Sequence, residues 1–265
     1  MANSQSDAPG RLITHFANRS REQQSQGWSE LWESDQSAFW DRGKPSPALI
    51  DFIESTELPR RDGRRLRALG CGKGYDVTML ALHGFDVYGL EVSERGAEAA
   101  REYATSQLFD PSEFNFGSEY DRSKVSAGKV QIVAGDFFKR DWEELCVEEG
   151  ATGFDFIYDY TFLCAILPEM RKDWARRMSE LLVPDGILVC LEFPLYKSLN
   201  DVGPPWGLRG VYWNVLARGG DGLISESGEE GGLLNGKFKR DFYFKPPRSY
   251  ENGRGTDMVS VWKLK

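Results

Sequence analysis

Histidine is scarce in this chain of 265 residues, which contains only His15 and His83. A metal site built from several histidines is therefore disfavoured, and acid–base chemistry that needs histidine would depend on one of these two side chains. His83 ends an apolar stretch immediately before Gly84, and a histidine at the C-terminal end of a helix is usually structural. The sequence predicts no metal centre.

Cysteine and long apolar runs are scarce as well. The four cysteines form no CxxC pair and are scattered at Cys71, Cys146, Cys164 and Cys190. No apolar run approaches the roughly 20 residues that span a bilayer. The N-terminal stretch MANSQSDAPG lacks an apolar signal segment. We therefore expect a cytoplasmic protein with reduced cysteines and no membrane partner.

Positive charge is also in short supply, because 33 Lys and Arg residues face 41 Asp and Glu residues and leave a net charge of −8. Nucleic acid is therefore not an expected partner, since phosphate binding depends mainly on Lys and Arg. We interpret two local basic clusters, 60–67 and 171–177, as solvated faces. The expected partner is a small molecule, and the sequence does not indicate the oligomeric state.

The middle of the chain alternates strand and helix signals, which is typical of a parallel sheet covered by helices on both faces. The predicted strands are 64–69, 85–92, 129–134, 154–158 and 187–193, followed by a late hairpin of 241–244 and 258–264. The predicted helices are 75–83, a helix capped by Ser93, and 168–182. Pro184-Asp185-Gly186 is predicted to form a turn.

No linker divides the chain, so we expect one domain over residues 1–265. Three segments lie outside the alternating pattern. Residues 1–45 carry three tryptophans and are predicted to form an aromatic lid. Residues 195–237 are rich in glycine and are predicted to cap a substrate site, and 104–128 form a polar insertion of unknown role.

A glycine-rich loop, LGCGKG, follows the first predicted strand and opens a helix. Its glycines, Gly70, Gly72 and Gly74, are spaced G-x-G-x-G rather than in the G-x-G-x-x-G pattern of dinucleotide-binding folds. Glycines here permit a tight turn and let a ligand approach the backbone closely. Such a loop alone is also compatible with a purely structural role.

Two acidic residues strengthen the prediction of a ligand site. Glu91 ends the second strand, where a carboxylate can accept hydrogen bonds from ribose hydroxyls. Asp136 follows the third strand and is suited to bind an adenine amino group, with Phe137 as an apolar wall. Asp136 alone would also suit a helix N-cap. Together with the glycine loop, these residues lie at the carboxyl ends of successive strands, where open α/β sheets bind ligands.

Several longer strings carry a resemblance to a known family. GCGKGYD, GLEVS, GDFF, DYTFLCAILPEMRKDWARRMSELLVPDG and GPPW make the chain similar to the thiopurine methyltransferase superfamily, and within it to the halide/thiol methyltransferases of plants and fungi. The resemblance covers about residues 25–206 and is weak from 207 to 250. It implies a class I fold that uses S-adenosylmethionine, with a seven-stranded, mostly parallel, Rossmann-like sheet, helices on both faces and a reversed final strand.

The resemblance also implies a set of residues that contact S-adenosylmethionine: Trp28, Trp32, Trp40, Gly70, Glu91, Asp136, Phe137 and Tyr160. Trp28 and Trp32 are one helical turn apart and would share a face. Aromatic faces attract the sulfonium cation without competing as nucleophiles. The tryptophans would also serve as a hydrophobic lid that excludes water, and the two roles are compatible.

The sequence differs from the family pattern at two positions. Leu69 stands where family members carry proline before GCG, which leaves the glycines intact. Phe193 stands where members commonly carry tyrosine, on the acceptor side.

Tyr158-Asp159-Tyr160, at the end of the fourth strand, is the expected acceptor-side element. Asp159 suits either a polar contact to the substrate or a strand-end cap. The other predicted acceptor-pocket residues are aromatic or proline: Phe162, Phe193, Pro204, Pro205 and Trp206. We predict an in-line displacement at the methyl carbon. The expected acceptors, which are iodide, bromide, chloride, thiocyanate and bisulfide, are already anionic, so we predict no catalytic base.

Three other functions remain open. A larger organic or secondary-metabolite thiol is the main alternative substrate. A nicotinamide-dependent reductase is disfavoured by the glycine spacing and by the lack of a Tyr-x-x-x-Lys pair after the fourth strand. A non-catalytic S-adenosylmethionine-binding protein is disfavoured by the intact set of cofactor residues.

Overall fold

Seven strands form one sheet in the computed structural model, which describes residues 8–56, 58, 67–70, 72–146, 153–225 and 234–265. The strands are β1 (Arg67–Gly70), β2 (Asp86–Glu91), β3 (Val130–Ala134), β4 (Phe154–Tyr160), β5 (Leu182–Glu192), β6 (Phe238–Phe244) and β7 (Met258–Leu264). Their order is β3-β2-β1-β4-β5-β7-β6. β1 to β5 pair in parallel, and β7 runs antiparallel between β5 and β6. The predicted late hairpin is therefore confirmed.

The described residues form six α-helices around this sheet: α1 (Ala8–Phe16), α2 (Gln24–Glu33), α3 (Pro47–Ser55), α4 (Tyr75–Leu82), α5 (Glu94–Phe109) and α6 (Arg171–Leu181). Local chemistry sets several of their starts. The Ser93 hydroxyl accepts a hydrogen bond from the Gly96 amide, as expected for an N-cap. Ser46 caps α3 in the same way, and Pro47 occupies a first-turn position where its missing N–H costs nothing.

Two hydrophobic clusters lie on opposite faces of the sheet, because successive side chains of a strand point to opposite faces. Phe156 and Val189 belong to the cluster beneath α3, α4 and α5. Leu188 and Trp262 belong to the cluster that also contains Trp174 of α6. Each fully buried side chain of this kind contributes about 1.5–3 kcal/mol relative to an exposed one.

The segment 195–237 differs from the predicted cap. Leu208, Val211, Tyr212 and Leu216 are buried in the same cluster as Trp262, and a π-helix spans Trp213–Arg218. The segment therefore packs its apolar side chains against the sheet. Residues 226–233, which belong to the predicted cap, lie outside the described residues.

The interpretation of 171–177 as a solvated face is wrong for two of its arginines. Arg171 is buried and donates to the Gly222 and Gly207 carbonyls. Arg177 is also buried and donates to the Phe137 carbonyl and to Glu143. Hydrogen bonds to carbonyls and carboxylates allow these charged groups to be buried. The cluster at 60–67 lies outside the described residues except for Arg67, where β1 begins.

Other predicted boundaries shift slightly. The turn predicted at 184–186 lies within β5, where Asp185 has φ of +65° and the pairing with β4 changes register. The helix that Ser93 caps continues to Phe109, so it includes the start of the insertion predicted at 104–128. Among the described helices, none combines the length and the apolar character needed to cross a membrane.

Candidate active site

A cavity of about 650 Å³ lies at the carboxyl ends of β2, β3 and β4, within the size range of small-molecule sites. Its lining includes nine of the residues predicted from the sequence: Trp28, Trp32, Trp40, Gly72, Glu91, Asp136, Phe137, Tyr160 and Phe162. These residues are distant in the sequence but meet around one space. The parallel topology brings the strand ends together, as expected for this sheet.

The glycine loop connects β1 to α4 below this cavity. Gly72 lines the cavity with φ of +86°, and a Cβ placed on it would meet no atom within 4 Å, so its backbone is open to a ligand. Gly74 has φ of +78° and packs against Ala100 of α5. Gly70 is the last residue of β1.

Glu91 lies at the end of β2, beside a tryptophan from the N-terminal segment. One oxygen of its carboxylate accepts a hydrogen bond from the Ser93 amide at 3.2 Å. A Cβ on Gly96 would lie 2.7 Å from Trp32 and 2.8 Å from the Glu91 side chain. Gly96 thus gives Trp32 and Glu91 room at the start of α5, a role that its position in the sequence did not suggest.

The two carboxylate oxygens of Asp136 accept hydrogen bonds from different partners. Oδ1 accepts a hydrogen bond from the Phe138 amide at 2.9 Å, and Oδ2 accepts one from the Ser25 hydroxyl at 3.0 Å. The second bond connects α2 to the end of β3. Phe137 is buried and packs edge-on against Phe162, with ring centroids 5.0 Å apart.

The three tryptophans of the N-terminal segment form one aromatic group. Trp40 packs edge-on against both Trp28 and Trp32, at centroid distances of 5.3 and 5.6 Å. Trp28 and Trp32 lie on α2 and both line the cavity, as their spacing predicts. A salt bridge of 2.7 Å between Asp41 and Lys73 then joins this segment to the glycine loop.

Asp159 lies on the far side of β4 from the tyrosines that flank it. It is buried and does not line the cavity. Its carboxylate accepts hydrogen bonds from the Tyr212 hydroxyl at 3.1 Å and from the Trp174 indole nitrogen at 3.0 Å. Burial raises the pKa of Asp159 to about 6, against the effect of these bonds. In this position Asp159 connects β4 to α6 and to the segment before the π-helix.

Four other predicted acceptor-pocket residues are also absent from the cavity lining: Phe193, Pro204, Pro205 and Trp206. Phe193 is buried and contacts the ring of Tyr160 at a centroid distance of 5.8 Å. It therefore packs against Tyr160, which lines the cavity, without lining the cavity itself. The amide of Trp206 donates to the Cys164 carbonyl at 2.8 Å.

The structure also places residues in the cavity that the sequence reasoning missed. Asp76, in the first turn of α4, is one of them. Tyr158, from the predicted acceptor-side element, lines the cavity as well. Met170 and Met178 line it too. Asp76 follows the glycine loop directly, so its place in the first helical turn was a signal available in the sequence.

Comparisons with known proteins place the chain in a family. A family model described as thiopurine S-methyltransferase matches residues 23–217. Thiocyanate methyltransferase 1 of Brassica oleracea is 36% identical over 200 residues, which cover 75% of each chain. A thiopurine S-methyltransferase of Shewanella amazonensis is 33% identical, and the match covers 76% of this chain and 88% of that protein.

Solved structures share the fold. Magnesium protoporphyrin IX methyltransferase from Synechocystis is 13% identical, with a TM-score of 0.53, and the match covers 91% of this chain and 100% of that one. The fold is that of class I S-adenosylmethionine-dependent methyltransferases, as the sequence predicts.

Proposed function

Because the chain belongs to the thiopurine S-methyltransferase family, we propose that it transfers a methyl group from S-adenosylmethionine to a halide ion, thiocyanate, bisulfide or another small thiol. The observation that supports this proposal most strongly is the composition of the cavity. Carboxylates from two strand ends and aromatic rings from α2 and β4 line the same space. We take the reaction to be an in-line displacement at carbon.

The residues of the cavity fit S-adenosylmethionine. Glu91 offers carboxylate oxygens to ribose hydroxyls, and Asp136 with Phe137 offers an acceptor and an apolar wall to adenine. The tryptophan faces suit a cation, at about 0.5–2 kcal/mol per contact. When bound, S-adenosylmethionine supplies the methyl group and the positive charge of its sulfonium.

The lining near the tyrosines suits an acceptor that is already anionic. Tyr160 and Phe162 present rings, and Ala165 and Ile166 add apolar surface. Such a lining removes water from the acceptor and holds it in line with the methyl group. We therefore assign no general base. Iodide and thiocyanate suit this environment best, because weakly hydrated anions lose least on entering it.

The name of the Brassica relative supports thiocyanate as one acceptor to test. A larger organic thiol is the second candidate, and a specific feature favours it. The cavity extends to Met170 and Met178, whose flexible side chains adapt to bulky ligands. The Shewanella relative is named for a thiopurine, which is a bulky thiol of this kind.

The proposal is tested by measuring S-adenosylhomocysteine formation with a panel of acceptors at saturating S-adenosylmethionine. The panel contains iodide, bromide, thiocyanate, bisulfide and one bulky aromatic thiol, with a reaction lacking acceptor as the blank. Iodide, thiocyanate and bisulfide should all turn over, with iodide faster than bromide. Turnover of the aromatic thiol alone would support the second candidate, and no turnover at all would contradict both.

A further inference from the structure

Arg42 is a positively charged residue near the cavity to which the proposed reaction has so far given no role. The backbone around it is fixed on both sides. Asp41 pairs with Lys73 of the glycine loop at 2.7 Å. The Lys44 carbonyl accepts a hydrogen bond from the Tyr250 hydroxyl at 2.8 Å. The Arg42 side chain therefore extends from a stretch of backbone that is held at two points.

Tyr160 connects Arg42 with the cavity. The Tyr160 side chain lines the cavity and stacks on Tyr250, with ring centroids 5.1 Å apart. Burial raises the pKa of Tyr160, while the charge of Arg42 and a hydrogen bond from its guanidinium oppose the rise. The guanidinium therefore lies at the hydroxyl of a tyrosine that forms part of the cavity wall.

The charge of Arg42 also reaches an exposed residue. Phe193 contacts both Tyr160 and Tyr196, at centroid distances of 5.8 and 6.0 Å, and Tyr196 is 55% exposed. Burial raises the pKa of Tyr196, and the charge of Arg42 opposes the rise. The guanidinium is therefore close to the wall of the cavity and also to an aromatic residue at the surface.

Arg42 has no carboxylate in contact with it. Among the described residues none forms a salt bridge with Arg42, and its Nε atom is buried without a hydrogen-bond partner. Burial raises the pKa of Asp257, and the charge of Arg42 is among the effects that oppose the rise, but no salt bridge joins the two side chains. A half-buried guanidinium of this kind keeps a positive potential around it and has N–H donors for an anion.

We propose that Arg42, together with the Tyr160 hydroxyl, binds the anionic acceptor, which is a halide ion, thiocyanate or a thiolate. This inference rests on the proposed function. An Arg42 N–H donates to the Tyr160 oxygen, which leaves the phenol O–H to donate to the anion. The acceptor supplies the electron pair of the new bond to the methyl carbon, and the pair of the broken bond stays on sulfur. No proton therefore passes through Arg42, whose role is to hold the acceptor.

Steady-state kinetics at saturating S-adenosylmethionine test the charge of Arg42. Arg42→Met removes the charge and the donors, so the KM for thiocyanate and for iodide should rise about 5- to 20-fold while kcat changes less than about threefold. Arg42→Lys keeps the charge and should stay within about threefold of wild type, because a small anion does not need the planar fork of arginine. Lys44→Met removes an exposed charge two residues away and should leave both constants unchanged.

Binding of thiocyanate to the complex with S-adenosylhomocysteine gives a readout besides turnover. This complex lacks the sulfonium charge, so the protein itself must attract the anion. Calorimetry at constant ionic strength should show that thiocyanate binds the wild-type complex and binds the Arg42→Met complex about 5- to 20-fold more weakly. Sulfate, which is strongly hydrated, should not bind.

The variants must be folded and must still bind S-adenosylhomocysteine. Its affinity for Arg42→Met should differ from wild type by less than about threefold, because Arg42 is assigned to the acceptor. Circular dichroism and the melting temperature measure folding. Arg42→Gln, which removes the charge but keeps an N–H donor, takes the place of Arg42→Met if that variant does not fold.

The outcomes distinguish this inference from the proposed function. If wild-type protein binds S-adenosylhomocysteine but methylates no small anion, the proposed function fails and the inference fails with it. If wild-type protein methylates iodide and thiocyanate and Arg42→Met has the same KM values, only the inference fails. It also fails if Arg42→Lys or Lys44→Met raises the KM as much as Arg42→Met does, or if thiocyanate does not bind the wild-type complex with S-adenosylhomocysteine.

Discussion

At the scale of single residues, Glu91 tests the cofactor site most sharply. Replacing Glu91 by Ala removes the carboxylate that we assign to the ribose hydroxyls. Binding of S-adenosylmethionine and S-adenosylhomocysteine should weaken about 10- to 100-fold by calorimetry. Glu98→Ala, an exposed position on α5, is the matched control and should bind as wild type. Unchanged affinity in the Glu91 variant would remove this residue from the site.

Single residues also show where sequence reasoning reaches its limit. Glu91 and Asp136 could be predicted because strand ends are visible in the pattern of apolar residues. Tyr158, Asp159 and Tyr160 form one string, but neighbouring side chains of a strand point to opposite faces. The structure therefore places the two tyrosines in the cavity and Asp159 behind them. Without the register of β4, the sequence could not tell which of the three faces a ligand.

At the scale of secondary-structure elements, Asp159 connects three of them. Asp159→Ala would leave the Trp174 and Tyr212 donors buried without a partner, so the free energy of unfolding should fall by about 2–4 kcal/mol. Affinity for S-adenosylhomocysteine should change less than about threefold. Urea denaturation and calorimetry measure the two quantities, with the exposed Asp110→Ala as the control. Unchanged stability combined with a raised KM for the acceptor would instead indicate a substrate contact.

Glu192 on β5 should make the free energy of unfolding depend on pH. Burial raises the pKa of Glu192 from 4.5 to about 7, although a hydrogen bond from Ser260 and the charge of Arg240 oppose the rise. The folded state therefore binds this proton more tightly than the unfolded state. The stabilisation that comes from protonated Glu192 is complete below pH 4.5 and is lost as the pH rises through about 7.

Glu192→Gln removes this titration, so the free energy of unfolding should fall less between pH 5 and pH 8 in the variant than in wild type. Urea denaturation at several pH values measures the difference, and Glu98→Gln serves as the exposed control. An identical pH dependence in wild type and the Glu192 variant would show that Glu192 does not titrate in this range.

At the scale of the whole molecule, the N-terminal segment behaves as a separate layer over the cavity. Leu12, Phe16 and Leu31 form their own buried cluster, with Trp28 and Trp40 packed against it. Deleting residues 1–44 should therefore leave a folded core, as judged by circular dichroism, but weaken S-adenosylmethionine binding, since three cavity tryptophans are lost.

Limited proteolysis tests the same segment in the intact protein. Cleavage within residues 1–45 should be fast without ligand and slow with S-adenosylhomocysteine, because the ligand adds contacts to α2. Equal cleavage rates in the two states would mean that the segment does not order on binding.

The whole fold was largely predictable, and its exceptions have a physical cause. Alternating strands and helices already indicated a parallel sheet covered by helices, and the family resemblance implied the class I fold. The packing of 195–237 was not predictable, because its many glycines and prolines interrupt the apolar pattern. The apolar positions that join the cluster of Trp262 could therefore not be recognised from the sequence. The burial of Arg171 and Arg177 could not be predicted either, since their partners include backbone carbonyls from distant segments.

The measurement that tests the central claim most directly follows both products of one reaction. With iodide and S-adenosylmethionine present, headspace gas chromatography should detect iodomethane, and liquid chromatography should detect S-adenosylhomocysteine in an equal amount. Bromide should give less methyl halide than iodide, because it is more tightly hydrated. If iodide, thiocyanate and bisulfide all give no methylated product while a bulky organic thiol is methylated, the assignment to small anionic acceptors is contradicted.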